Sequence, residues 1–371
     1  MSFFSSLFGK KETSVIGIDI GSSSIKIVQL SRKGGKAVLD TYGELALGPY
    51  GNVEIGRATN LPPEKISEAL NDVIRESKMT SKSSGIAIPF GASLISLIEM
   101  PAVSDQQLAQ MVPIEARKYI PVPITEVMLD WILVPRQVDK ELKFNEEAPH
   151  SPNQPTEKID VLIVAIHNET LARYQSIVTA SALQTSFFEI EIFSTIRSVL
   201  DQDTTTQMIV DLGAATTKVY IVERGIIRAS HVISRGAQDI TLGLARTLNI
   251  PVQEAEIIKR DLSRVDSDKK KAVDDVVNLT LDYIFSEAQR VLLSYQKKFN
   301  KDISKVVMVG GGARLQNVLK RAESNFQTSV VLGDPFGKTE APAFLEEVLK
   351  HTGPEFAVAL GVALRKLQEL S

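Results

Sequence analysis

Two aspartates, each followed by a run of small residues and then a lysine, are the residues in this chain best placed for chemistry. They lie in "IGIDIGSSSIKIVQL", residues 16–30, and "MIVDLGAATTKVYIVERG", residues 208–225. Asp19 matches Asp211, Gly21 matches Gly213 and Lys26 matches Lys218, with the same aspartate-to-lysine spacing in both copies. Each copy reads as a buried strand, a turn of small residues and a second strand, a β-hairpin. Such turns let backbone N–H groups converge on an anion. Ser22 and Ser23 in the first turn, and Thr216 and Thr217 in the second, add hydroxyl donors. A carboxylate beside a phosphate is repulsive unless a cation lies between them. Asp19 and Asp211 therefore imply Mg²⁺, held through its waters. Lys26 then reaches phosphate oxygens. Lys218 does the same or points to solvent from its strand.

Two copies at the same offsets suggest a duplicated domain, with two turns facing one ligand across a cleft. The length of 371 residues also sets two domains as the expectation. A net charge of −3 leaves no electrostatic footprint for nucleic acid. The absence of cysteine removes disulfide scaffolds, thiolate metal sites and cysteine nucleophiles, and fits a reducing cytoplasm. The four histidines, at 150, 167, 231 and 351, have no metal-ligand spacing. No apolar run is long enough to span a membrane. The N-terminal "MSFFSSLFGKK" reads as a frayed tail, with a weak membrane-surface foot as the alternative.

A third glycine turn lies in "VVMVGGGARLQNVL", residues 306–319, between a strand and a helix. Leu315 stands where the dinucleotide fingerprint has its third glycine. Gly310, Gly311 and Gly312 still offer backbone approach to a ligand at a helix N-terminus. "GDPFGKT", residues 333–339, is one residue short of a P-loop and contains Pro335, so it reads as an exposed loop.

These turns, in this order, resemble the actin-like ATPase superfamily. Residues 16–30 are similar to its first phosphate motif, 208–222 to its second and 306–315 to its adenosine motif. "PVQEAEIIKRDL", residues 251–262, resembles the helix whose Glu and Lys touch ribose and adenine, here Glu256 and Lys259. Three apart on one helix, both can face one ligand; alone, the pair reads as a solvated ion pair. "GPEFAVALGVALRKL", residues 353–367, is similar to the closing helix, where small residues allow close packing. The resemblance implies ATP and Mg²⁺ as cofactors, with Gly310, Gly311, Gly312 and Arg314 in the binding set.

Elsewhere the chain alternates helix and strand signals. Residues 61–80 read as a helix, 104–121 as a helix capped at Ser104 or Asp105, and 126–138 and 158–166 as strands. Pro113 is expected to kink the second helix unless it falls near a new turn. The polar stretch 139–158 reads as a long exposed connection. The apolar stripe of 272–299 reads as core.

Residues of about 90–180 thus form an α+β module inserted between the two phosphate motifs. Ordinary actins and sugar kinases lack such a module; FtsA and the PilM family of type IV pilus assembly proteins carry one, called IC. Residues 100–134, 188–200 and 334–336 resemble the PilM family in particular. Arg235 before Gly236, and Ser194 with Thr195, depart from family habit.

The expected fold is α/β: a duplicated actin-like, ribonuclease-H-like pair of domains with an inserted α+β subdomain IC and an ATP cleft between the domains. The expected divisions are 1–13 tail, 14–89 IA, 90–181 IC, 182–205 IA return, 206–247 IIA, 248–301 IIB, 302–353 IIA again, and 354–371 the closing helix on IA. The resemblance implies a cytoplasmic ATP-binding scaffold, peripheral to the inner membrane, with at most slow hydrolysis. It would bind the cytoplasmic N-terminal tail of PilN in a groove between IA and IC, where Met100, Pro101, Tyr119, Ile120 and Pro121 are candidates. Other pilus platform and motor components are further possible partners. The alternatives are an FtsA-like filament-forming division protein, against which the lack of a terminal amphipathic helix counts, and a small-molecule kinase. A kinase needs a catalytic carboxylate, for which Glu189 and Glu191 are the candidates, although an acidic edge of their segment is the plainer reading.

Overall fold

The computed structural model describes residues 14–134, 158–181, 183–201 and 205–370. The expected N-terminal tail, residues 135–138 of the expected strand, and all but the last residue of the expected connection 139–158 lie outside the described residues. Two compact units result. One comprises the chain through Phe90 and again from Arg173; the other is Gly91–Ala172.

The large unit begins with β1 (Ser14–Ile20) and β2 (Ser24–Lys33), antiparallel in a register that sets Asp19 opposite Lys26. The spacing read from the sequence is therefore the cross-strand pairing of one hairpin. β3 (Lys36–Ala46) continues the meander. α1 (Pro63–Glu76) starts at a proline, which has no N–H to leave unsatisfied there, and buries Ile66, Ala69, Leu70 and Val73. β4 (Ser83–Ile88) then runs parallel to β1.

The small unit holds β5 (Ser93–Pro101), α2 (Asp105–Ala116), β6 (Val127–Val134) and β7 (Lys158–His167). Its antiparallel sheet has the order β5-β7-β6. A capping box between Ser104 and Gln107 starts α2, which runs on through Pro113 and ends three residues later. Leu108, Val112 and Ala116 of α2 pack on Ile98, Val161 and Ile163 of the sheet. α3 (Asn168–Ala180) follows, and the division between the units falls inside it. Its second half belongs to the large unit, where the carbonyl of Ile177 accepts from Ser67 on α1. The inserted module as expected, 90–181, included that half.

β8 (Gln184–Ile190) returns parallel to β4 and leads into α4 (Glu191–Val199). The second lobe of the large unit holds β9 (Thr206–Leu212), β10 (Thr217–Glu223), β11 (Ile226–Ile233), α5 (Ala237–Leu248), α6 (Val252–Arg260), α7 (Lys270–Phe299), β12 (Lys305–Val309), α8 (Val318–Phe326) and β13 (Val330–Leu332). The two five-stranded sheets have matching orders, β3-β2-β1-β4-β8 and β11-β10-β9-β12-β13. In both, a three-strand antiparallel meander is extended by two parallel strands. The duplication inferred from two short motifs thus extends to whole sheets. α7 supplies the second lobe's core through Val273, Val277, Leu281, Ile284, Ala288, Leu292 and Tyr295.

α9 (Glu346–Thr352) and α10 (Ala357–Glu369) close the first lobe. Leu360, Ala363 and Leu367 of α10 share a core with Val15, Val28 and Leu30 of the first hairpin. α10 also lies against α4 so closely that a Cβ on Gly361 would stand 1.9 Å from the carbonyl oxygen of Ser194. The segment read as an exposed loop behaves differently. Pro335 and Phe336 are buried, and Phe336 packs on Tyr42 and Phe356 with ring centroids 5.6 and 5.9 Å away. An aromatic side chain among polar neighbours was the signal, and burial of apolar area decided it. Among the described residues, no helix is long and apolar enough to cross a membrane.

Candidate functional site

A cleft of about 1170 Å³, mouth included, separates the two lobes of the large unit. Its walls hold Asp19, Gly21, Ser22, Ser23 and Lys26 from the first hairpin, and Asp211, Gly213, Thr216 and Lys218 from the second. Glu256 and Lys259 of α6, and Gly310, Gly311, Gly312 and Arg314 of the third turn, line the same space. All of the expected nucleotide residues meet there except Thr217. Thr217 is the first residue of β10, fully buried, and its hydroxyl donates to the Arg235 carbonyl at 2.9 Å. Successive strand residues point to opposite faces, so Lys218 lines the cleft while Thr217 faces away from it; Thr216 lies in the turn before β10 and lines the cleft from there.

The two hairpins are alike in backbone and different in side-chain pairing. Lys26 Nζ donates to Ser24 Oγ at 2.6 Å and pairs with Glu44 at 3.1 Å. Burial works against its charge, yet Glu44, Asp19 and Glu355 more than offset this and hold the ammonium above its ordinary range. Lys218 Nζ instead lies 3.2 Å from Asp211 and 2.9 Å from Glu191. It does not point to solvent. There too burial opposes the charge, and Asp211 and then Glu191 raise its pKa well above the usual lysine value.

Of the two carboxylates considered for a kinase, only Glu191 lines the cleft. Glu189 is spent on structure, accepting from Ser194, Arg197 and Arg365. Ser194, one of the departures from family habit, serves this ionic cluster. Glu256 and Lys259 form a buried pair at 2.6 Å rather than a solvated one, and Thr241 binds both. Arg260 joins Glu256 at 2.8 Å.

Sequence reasoning missed Glu44, Arg260 and Glu355, which also line the cleft. Arg260 had a signal, since it sits four residues after Glu256 on the same helix. Glu355 had none: it reaches Arg314 at 2.5 Å from a residue remote in sequence. In the small unit, Met100 and Ile120 turn into the hydrophobic core, so they offer packing and not a peptide-facing surface. Tyr119 and Pro121 are exposed and Pro101 is half-buried.

These groups suit a phosphate ester with a hard cation. Arg314 Nε is a buried donor with no acceptor. Gly310, at φ +85°, brings its backbone so near that a Cβ would stand 2.5 Å from Asp211 Oδ1, so the wall there excludes side chains. Burial pushes the Asp19 carboxyl up to about 7, with Glu191 and Asp211 acting in the same direction and Lys26 and Lys218 opposing. A carboxyl so raised gains its charge cheaply only beside an added cation.

A pH effect follows for the metal-free chain. The ordinary value is 3.8, so the folded state holds this proton more tightly than the unfolded state does. The stabilising contribution is complete below about pH 4 and is lost as pH rises through 7, at a slope of at most about 1.4 kcal/mol per unit. Asp19→Asn removes this loss. In chelator, the melting temperature of Asp19→Asn relative to wild type should climb from pH 4 to 8. A flat difference across that range would contradict the raised carboxyl.

The family model described as type IV pilus assembly protein PilM matches residues 17–367. Cell division protein FtsA of Neisseria meningitidis serogroup B is 23% identical over 382 residues, covering 93% of this chain and 88% of its own length. FtsA of Pseudomonas aeruginosa is 22% identical over 395 residues, covering 96% and 90%. A solved PilM–PilN type IV pilus biogenesis complex includes a chain of like fold, at TM-score 0.77 and 22% identity, covering 95% of this chain and 98% of that one. MreB 5 of Spiroplasma citri bound to AMPPNP has TM-score 0.53 at 11% identity, covering 96% and 98%. These likenesses establish an actin-like ATPase fold. With the family model spanning nearly all of the described residues, the chain belongs to the PilM family of type IV pilus assembly proteins.

Proposed function

We propose that this chain is an ATP-binding scaffold of a type IV pilus assembly platform, working at the cytoplasmic face of the inner membrane. The observation that carries the proposal is the family match across residues 17–367. Asp19 and Asp211 would hold Mg²⁺ through its waters, while the turns and Lys26 bind phosphate oxygens. Glu256, Lys259, Gly310, Gly311, Gly312 and Arg314 would bind the nucleoside end. Bound Mg²⁺–ATP would supply the counter-charge that these facing groups lack. Because the walls belong to both lobes, binding stabilises their closed arrangement in proportion to RT ln(1 + [L]/Kd). ATP is then a structural ligand first.

The solved complex pairs its PilM with PilN. The partner proposed here is likewise the cytoplasmic N-terminal peptide of a PilN-type membrane protein. The small unit, with Tyr119 and Pro121 exposed, is the proposed contributor of peptide-facing groups. An extended peptide gains backbone hydrogen bonds for affinity and side-chain pockets for specificity. The test is capture of the chain on an immobilised copy of the host PilN N-terminal peptide, beside a scrambled peptide. Selective capture at micromolar concentration is expected. Equal capture by both peptides would overturn the partner assignment.

A further inference from the structure

Lys218 joins the two lobes. It extends from β10 in the second lobe, where it meets Asp211 at 3.2 Å, and reaches Glu191 at the start of α4 in the first lobe at 2.9 Å. The matching lysine of the first hairpin makes no such crossing: Lys26 pairs with Glu44 and Ser24 of its own sheet. Glu191 is held at both oxygens. Oε1 accepts from the Phe90 N–H at 2.7 Å and Oε2 from Lys218. It is only 6% exposed, yet it lines the cleft.

We infer that Lys218 is a brake on nucleotide turnover: by holding Glu191 in an ion pair between the lobes, it denies the cleft a free base. The inference rests on the ATP-binding function proposed above and concerns regulation of that same site. In hydrolysis of the terminal phosphoanhydride, a water oxygen bonds to the γ-phosphorus. The bond from that phosphorus to the ADP oxygen breaks, and ADP leaves with the bonding pair. The water must also lose a proton, and a free carboxylate in the cleft is the natural acceptor. Glu191 stands in the cleft, but it is already engaged by the ammonium that it shares with Asp211 and is fixed by a backbone donor. Lys218 is a positioning residue here, acting through Glu191.

The test uses the full chain with Lys218→Met, Lys218→Arg, Glu191→Gln and the Lys218→Met/Glu191→Gln double variant. In metal-free, nucleotide-free buffer, a double-mutant cycle on melting should show that the two losses are not additive. Additive losses would overturn the interlobe pair. With saturating Mg²⁺–ATP, Lys218→Met should raise kcat by at least ~10-fold. Adding Glu191→Gln should erase that gain, and Lys218→Arg, which keeps a cation in place, should show a smaller one. Unchanged kcat in Lys218→Met, with ATP still bound, overturns the brake. Should Lys218→Met fail to fold, Lys218→Gln carries the same expectations. Calorimetry run alongside separates the two levels: a wild type that binds no ATP overturns the proposed function itself.

Discussion

Asp211→Ala is expected to lower the affinity for Mg²⁺–ATP by about 10- to 100-fold in calorimetry, the equivalent of roughly 1.5–3 kcal/mol. Asp211 is 6% exposed, sits opposite Lys218 in the β9–β10 register and has its Oδ1 2.5 Å from where a Cβ on Gly310 would stand. Its removal would take away the proposed cation ligand and leave Lys218 paired with Glu191 alone. Asp19→Ala should act in the same direction. The sign depends on the metal. In chelator the loss should vanish or reverse, because an uncompensated carboxylate repels phosphate. Wild-type affinity in both variants with Mg²⁺ present would remove the two aspartates from the site.

Gly361→Ala should destabilise the chain by several kcal/mol. On an exposed helix the same change would gain about 1 kcal/mol from helix propensity. Here the added methyl would stand 1.9 Å from the Ser194 carbonyl oxygen and 2.4 Å from its carbonyl carbon. Both are backbone atoms of α4, so no side-chain rotation relieves the contact. α10 must move away from the core it shares with β1 and β2. Urea unfolding is the measurement; a variant as stable as wild type would mean that the two helices are not so close.

How far the site could be read from sequence depended on how local each contact is. Asp19–Lys26 and Asp211–Lys218 were legible because each is the cross-strand pair of one tight hairpin. Glu44 was not. Counting back from the β2–β3 turn would set Gly43 opposite Lys26, but an irregularity between Gln29 and Leu30 shifts the register and brings Glu44 there. Glu256 and Lys259 were legible as a helical pair, whereas their burial under Thr241 depends on α5 folding over them. Thr216 and Thr217 look alike in sequence, and only the point where the turn ends and β10 begins tells them apart. Met100 and Ile120 look like surface candidates in a proline-flanked stretch, until α2 and the sheet enclose them. The small unit's second limit, at Ala172, falls inside α3, where no composition signal marks a boundary.

The partnership of α10 with β1 and β2 also governs when the molecule can fold. Val15 and Leu30 leave the ribosome early, yet their packing partners Leu360, Ala363 and Leu367 emerge near the other extreme of the chain. At about 5–20 residues per second, the first hairpin waits roughly 20–70 s for them. During that interval one apolar face of the first sheet stays open while the second lobe, whose core is drawn from residues 208–332, can already close. Folding order during synthesis is then the reverse of chain order. The lobe made first is finished last, and its uncovered sheet is the surface that a nascent-chain chaperone would have to shield.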